Sequence, residues 1–362
     1  MDCSPLPSRA SLGSASHEGG KAMELGVLGI DLSKNLFQLH GVDLAGRAVL
    51  RKRLRRDQLL PFIAALAPCT IGIEACASAF HWAREFERAG HVVRIISPQF
   101  VKPFVRGNKN DGNDAEAICE AVQRPNMRFV PAKTVAQQDI QSLHRCRQRL
   151  VNHRTALISQ MRGILLDRGI VFGKSASRAR RLIPQIVADQ GNALTVMARE
   201  MLASLFEFLQ QLDERIRDFD RRIEAVFRQD PACQRIAKLE GVGPKTATAI
   251  VAAVGDAKDF ENGRHMSAWL GLVPRHQATG GRIVMGGISK RGDQHLRTLL
   301  VHGAREVVRV SVGRKDPKSQ WVNNLVKRRG TNRAIVAVAN KNARLIWSLL
   351  AKGEEYRRPA AA

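Results

Sequence analysis

The sequence predicts an α/β N-terminal domain, a long antiparallel coiled-coil middle and a mainly α-helical C-terminal domain. Three observations carry that expectation. Short apolar runs ending in acids alternate with helical stretches up to about residue 132. Leucines at heptad spacing then take over, and beyond Pro231 short helical runs are punctuated by glycines. A chain of 362 residues with 44% hydrophobic content is too long for one ordinary core, so several domains are expected.

Residues 1–24 are rich in Ser, Gly and Pro, lack the apolar stretch of a secretory signal, and are expected to be disordered, with Met23 an alternative start. Leu25 to Leu32 reads as a strand carrying Asp31 at its end, and Leu36 to Val42 as its antiparallel return. Val49 to Leu54 suits a third strand and Gln58 to Ala67 a helix. The run Cys69 to Cys76 is a second apolar strand ending in an acid, Glu74. Ser78 to Ala89 reads as a helix and Val92 to Ile96 as the next strand. A further helix starts near Gly112 and Asn113, with Asp111 just ahead of it and Asp114 in its first turn.

An unpaired carboxylate in an apolar strand is costly to bury, so Asp31 is solvated, paired with a base such as Lys34, or bound to metal. Two strands ending in carboxylates beside a helix start with two more form a more specific pattern. Asp31, Glu74, Asp111 and Asp114 can meet at one sheet edge, which is the geometry of a ribonuclease-H-like nuclease core. Such acids hold two divalent ions roughly 4 Å apart for in-line attack on a phosphodiester. All-oxygen ligands suit Mg2+ or Mn2+, and no histidine stands near these acids at zinc-like spacing.

Charge points to the same substrate class. Lysine and arginine number 58 against 33 acids, a formal charge of +25, so a polyanion is the expected partner. The positive residues are spread along the whole chain, which favours nucleic acid over a lipid surface. No apolar run approaches the ~20 residues that cross a bilayer. Six cysteines lie scattered without a C-x-x-C pair, which argues against a zinc ribbon or disulfide framework and suggests reduced thiols in a bacterial cytoplasm, beside the nucleoid.

The segments Gly29-Ile30-Asp31-Leu32-Ser33-Lys34, Gly72-Ile73-Glu74-Ala75-Cys76 and Lys109-Asn110-Asp111-Gly112-Asn113-Asp114-Ala115 resemble the N-terminal motifs of insertion-sequence transposases with an Asp-Glu-Asp-Asp (DEDD) tetrad. That family also contains the Piv-type DNA invertases. The resemblance implies a RuvC-like (Holliday-junction-resolvase-like) fold over residues 25–132, with Asp31, Glu74, Asp111 and Asp114 as catalytic metal ligands. It further implies a homo-oligomer, dimer or tetramer, acting on DNA at mobile-element ends, with a guide RNA encoded by the element.

From Val135 to Leu166 the pattern is helical, with Leu143, Leu150, Leu157 and Ile164 seven apart. Leu202, Leu205, Leu209, Leu212, Ile216, Phe219, Ile223 and Val226 follow in alternating steps of three and four. These read as seams of a coiled-coil dimerisation region over residues 133–230, with Arg168 to Asn192 as the turn region between two long antiparallel helices or between dimer arms.

Residues 231–352 read as a DNA-binding domain. Gly241-Val242-Gly243-Pro244 between helical runs suggests a helix-hairpin-helix, in which Gly241, Gly243, Lys245 and Thr246 would contact a phosphate. The stretch from Thr279 to Asp293 is a glycine-rich basic loop, with Arg282, Lys290 and Arg291 as further backbone contacts. It resembles the C-terminal transposase domain of the same family. Members place a serine nucleophile among one or two hydroxyl residues before the Gly-Gly pair, where this chain has Ala278 and Thr279. Thr279 is the candidate nucleophile and His276 a candidate base. Arg305 to Arg344 reads as helical with Trp321 and Trp347 in the core, and residues 353–362 as a flexible tail carrying Tyr356. Two alternatives stand beside a transposase: a RuvC-like nuclease for branched DNA, and a catalytically impaired DNA-binding copy.

Overall fold

The computed structural model describes residues 25–105, 111–280 and 282–357, with the side chains of Asp111, Arg282 and Ile283 outside that description. The expected disordered extension and the end of the tail lie outside it too. The chain divides into two units, Met1–Ala132 and Lys133–Ala362. Among the described residues there are thirteen α-helices and two sheets.

The first unit is a mixed α/β layer structure, consistent with a ribonuclease-H-like domain. Its strands are β1 (Val27–Asp31), β2 (Leu36–Val42), β3 (Ala48–Arg55), β4 (Thr70–Glu74), β5 (Val92–Ile96) and β6 (Phe129–Val130). The sheet order is β3-β2-β1-β4-β5-β6. β1 to β3 form an antiparallel meander, β4 and β5 run parallel to β1, and β6 closes the edge antiparallel.

The helices of this unit are α1 (Arg56–Ala64), α2 (Ala79–Arg88), α3 (Pro98–Val101) and α4 (Asp111–Val122). Strand periodicity sends alternate residues to opposite faces. Leu28, Ile30, Ile71 and Ile73 join the core made by Leu59 and Ile63 of α1 and Trp82 and Phe86 of α2. Gly29 and Gly72 face the other way, under α4.

The second unit opens with α5 (Val135–Leu166), α6 (Ala176–Ala188) and α7 (Val196–Gln229). The capping box of Thr134 and Gln137 starts α5, and Thr195 accepts from the Ala198 amide at the start of α7. α5 and α7 run antiparallel: Arg147 Nε is 2.5 Å from Asp220 Oδ1, and seven residues further along α5, Arg154 pairs with Asp213 at 3.1 Å.

The seam differs from the expected one. Leu202, Leu209, Leu212, Ile216 and Ile223 of α7 are buried, but on α5 only Leu157 of the four seven-spaced residues is, and Ile158, Met161 and Leu165 complete the buried face. The reason is α6, which the sequence reading takes for a turn. Its Ala179 and Ile183 enter the same core, so three helices share what a two-helix seam would leave exposed.

The helices α8 (Pro231–Ala237), α9 (Pro244–Val254), α10 (Gly263–Trp269), α11 (Gln294–Val310), α12 (Pro317–Arg329) and α13 (Thr331–Lys352) build the remaining core. They belong to the same unit as the long pair. Lys245 of α9 reaches Asp220 of α7 at 3.0 Å, and the buried His144 of α5 is 2.9 Å from Thr248 Oγ1. Burial, with the positive neighbours His295, Arg147 and Lys245, pushes the His144 imidazole down to about 4.

Two strands, β7 (Pro274–Thr279) and β8 (Arg282–Ile288), form a separate antiparallel hairpin where the sequence reading expects a loop. Trp321 and Trp347 are half-buried at the edge of the core rather than inside it. Tyr356 is tied down, its hydroxyl donating to Glu240 at 3.0 Å, and Glu355 pairs with Lys238. Residues 353–357 are therefore anchored where a free tail is expected.

Candidate active site

The acids of the first unit are placed by two glycines. Both strands read glycine, isoleucine, acid, and Gly29 pairs in register with Gly72 and Ile30 with Ile73. Asp31 and Glu74 thus come next on neighbouring parallel strands, ~4.8 Å apart along the hydrogen-bonding direction. Each is two residues after a glycine, so both side chains point to the face that α4 covers.

The glycines let α4 lie directly on the sheet. A Cβ at Gly29 would stand 2.6 Å from the Cys119 amide nitrogen and closer still to the Ala115 carbonyl, and one at Gly72 would press on Ile118 and Val122 at 3.1 to 3.2 Å. Ala115 over Gly29 fixes the first turn of α4 beside the strand ends, and Asp114 is in that turn. Burial raises the Glu74 carboxyl above its ordinary value, and the charge of Asp114 raises it further. Neighbouring anions are thereby held in a partly desolvated place.

The start of α4 at Asp111 lies within a residue or two of the expected one. Asp111 heads the helix, with its side chain outside the described residues. Among the described residues no group of three His, Cys, Asp or Glu is close enough to hold a metal ion. Asp31 and Glu74 share one sheet face, Asp114 of α4 acts on Glu74, and the side chain of Asp111 is not in that count.

Candidate residues of the second unit have varied surroundings. Gly243 caps α9 with open space around its α-carbon, and Pro244 follows as the first helical residue. Thr246 is buried. Lys245 is half-exposed and engaged by Asp220. Gly241, at φ +85°, would place a Cβ 2.7 Å from the Gly303 carbonyl oxygen, so its lack of a side chain serves the packing of α11.

Thr279 ends β7, paired with Arg282 across the turn at Gly280. Every residue of β7 is exposed. His276 and Thr279 are three apart on a regular stretch of strand, so their side chains leave on opposite faces, which removes His276 as a base for Thr279 within one hairpin. Lys290 and Arg291 are exposed, and the turn that carries them packs through Gly292 against the Trp269 carbonyl. Lys290 holds φ 55°, an uncommon conformation for a side-chain-bearing residue.

The sequence reading missed the seating role of Gly29 and Gly72. The signal was present, since the same glycine stands two residues before an acid in both strands.

Comparison with known proteins agrees across most of the chain. Residues 28–168 match a DEDD-type IS110 profile described as a transposase, and residues 233–319 match the profile of the transposase IS116/IS110/IS902 family. A probable family 20 transposase of Pseudomonas aeruginosa is 48% identical over 92% of this chain and 99% of its own length. The transposase for insertion sequence element IS1111A of Coxiella burnetii is 45% identical, covering 92% of each chain. A pilin gene-inverting protein of Moraxella bovis is 27% identical over 33% of this chain and 37% of its own. With both family profiles matched and relatives matching nearly end to end, the chain belongs to the IS116/IS110/IS902 family of transposases.

Proposed function

We propose that this protein cleaves and rejoins DNA strands at the ends of a mobile element. In this reading Asp31, Glu74, Asp111 and Asp114 hold Mg2+ or Mn2+, and Thr279 is the hydroxyl nucleophile. The observation that carries it is the paired glycine seating of α4, which directs Asp31 and Glu74 to one face beside Asp114. Family membership supports the reaction class, and likeness to a pilin gene-inverting protein supports recombination in particular.

The donor set fits the cation. It is all carboxylate, as hard divalent ions require, and the charge of Asp114, which adds to burial in raising the Glu74 carboxyl, is the kind of repulsion a cation relieves. The described acids alone do not close a ligand set, so the proposal gives Asp111 a share in it. Bound there, the ions would supply Lewis acidity to a phosphodiester oxygen. The chain itself orients the carboxylates from two strand ends and one helix start.

Thr279 Oγ1 would attack phosphorus: the Oγ1–P bond forms, the P–O bond to the leaving strand breaks, and the proton lost by threonine leaves on that strand's hydroxyl. Attack by a strand hydroxyl on the protein-linked phosphate then rejoins DNA and returns the threonine. Gly241, Gly243, Lys245, Thr246, Arg282, Lys290 and Arg291 are proposed to serve DNA-backbone binding, Thr246 from beneath by holding α9 in place. The formal charge of +25 supports DNA as a partner, and a guide RNA is proposed on the family resemblance alone. The faces of α5 and α7 left outside their shared core with α6 are offered as a surface between protomers of a dimer or tetramer. Among the described residues no helix is long and apolar enough to cross a membrane.

The presence of Ala278 beside Thr279 favours one second reading, a copy that binds DNA but is impaired in strand exchange. An excision assay on a plasmid-borne element decides between them. The proposal expects excision by the natural protein and none by Asp31→Ala. No excision by either, with DNA binding intact, would support the impaired copy, and nicking of branched junctions without rejoining would support a RuvC-like nuclease.

A further inference from the structure

A cleft of about 700 Å3 opens on the second unit between α10, α12 and α13, within the size range of small-ligand sites. Its walls include Trp321 of α12 and Trp347 of α13, with Arg264, Lys341 and Arg344 around them. No Asp or Glu lines it. Arg264, Lys341 and Arg344 are exposed and, among the described residues, none takes part in a salt bridge. In a protein with 33 acids, a cleft with three cations and no anion selects an anionic ligand.

The cleft is built on fixed parts. Trp347 donates through Nε1 to the carbonyls of Ala257 and Phe260 at 3.0 and 3.1 Å, which locks one wall. Asn340 donates to Ser267 Oγ at 2.6 Å and to the Leu272 carbonyl at 3.2 Å, which ties α13 to the end of α10. A Cβ at Gly263 would stand 2.8 Å from the Arg344 carbonyl, so α10 begins in direct contact with α13. Trp321 is half-buried, and its ring is covered by the Lys341 ammonium 4.3 Å from the centroid. A planar ligand can take that place while the ammonium swings to an attached phosphate, since lysine carries a flexible stem.

We propose that this cleft binds an unpaired nucleotide of a nucleic-acid strand, with the base stacked on Trp321 and the flanking phosphates held by Arg264, Lys341 and Arg344. Aromatic rings next to unpaired cations are how single strands are captured without regard to sequence. A duplex keeps its base faces stacked and cannot offer them to Trp321, so the cleft distinguishes strand state. The inference extends the nucleic-acid reading above to a new place and a defined strand form, and it does not depend on the acidic site.

The test is fluorescence anisotropy with the full chain in EDTA, which keeps any failure of the metal proposal out of the result. The probes are a twelve-residue oligothymidylate, a twelve-residue oligouridylate and a blunt duplex of equal length. Trp321→Ala is expected to weaken single-strand binding about tenfold and leave the duplex within a factor of two, with Trp321→Phe restoring most of the loss. Lys341→Ala/Arg344→Ala, at exposed positions, is expected to produce a similar single-strand loss and a smaller salt dependence. The probe that loses more in these variants, deoxy or ribo, identifies the strand's source. Equal losses for single strand and duplex, or no loss in the double variant, would overturn the inference.

Discussion

The two places where this transposase carries candidate reactive groups are built in opposite ways. Asp31 and Glu74 end neighbouring strands of a six-stranded sheet, and α4 is pressed on them through Gly29 and Gly72. Thr279 ends a two-stranded hairpin whose first strand is exposed at every residue. A sheet clamped between helices fixes carboxylates before substrate arrives, which suits the cation-holding role proposed for them. A bare hairpin has no core of its own and is marginal in water by itself. The difference assigns preorganisation to the acids and, in the proposed reading, adaptability to the candidate nucleophile Thr279.

The largest expected effect breaks the clamped side. Gly29→Val forces a branched side chain against the backbone of Ala115 and Cys119. A loss of about 3 kcal/mol in stability is expected together with excision at background, read by denaturant melts and the plasmid assay. Wild-type activity in a well-folded Gly29→Val protein would remove the clamp from the account.

Thr279→Ala should separate the two sides. Excision is expected to fall at least ~10³-fold with no change in melting, because nothing in the core touches that residue. Thr279→Ser should retain activity, and a gain with Ala278→Ser would mark the natural protein as impaired at this step. Retention by Thr279→Ala would move the nucleophile elsewhere.

A third change lies away from both sites and gauges how far the helical scaffold contributes. Asp213 is buried, 2.5 Å from Arg180 Nε and 3.1 Å from Arg154 Nη1. Burial alone would raise its carboxyl, but the hydrogen bonds from Arg180 and Arg154 outweigh it and hold the group below the usual range. A depressed carboxyl contributes stability above its unfolded value of about 3.9, and that contribution is lost as pH falls through the lower folded value. Asp213→Ala is expected to cost about 2 kcal/mol at pH 7 and less under acid, with the first unit's melting unaffected. An equal cost at pH 3 would show that packing, not the ion pairs, is responsible.

The smallest effect has the opposite sign for stability and activity. The Glu74 carboxyl is raised by burial and then by Asp114, so its favourable contribution belongs to low pH and is lost as pH rises through the folded value. Glu74→Gln should therefore stabilise the metal-free protein by ~0.5 kcal/mol at pH 7, less at pH 4, while abolishing excision. Destabilisation at pH 7 in EDTA would mean that Glu74 has a structural partner outweighing the repulsion.

Much of the first unit was legible because its periodicity is strong. Leu36–Val42 and Val92–Ile96 stand where the apolar runs place them, and in the second unit so does the helix Val135–Leu166. The hairpin was not legible, since a strand exposed on both faces has no apolar alternation to read. α6 was hidden by flanking glycines and by Pro184 inside it, a residue that ordinarily argues against a helix interior. Trp321 reads as a core residue from its type alone, yet it packs at the rim with Lys341 above it. Charge counts cannot show which cations lie together without an acid between them. For the acids the spacing of Asp111 and Asp114 was visible, but the placement of Asp114 near Glu74 depends on α4 lying across Gly29 and Gly72.

The central claim is that acids far apart in sequence form one cation site. Titration of Mn2+ followed by electron paramagnetic resonance tests it most directly, on the full chain and on Asp31→Asn, Glu74→Gln and Asp114→Asn. The account predicts saturable binding by the natural protein, weakened at least about tenfold by each single substitution, since each removes a ligand oxygen from the same ions. Binding that is unchanged in all three variants would contradict it.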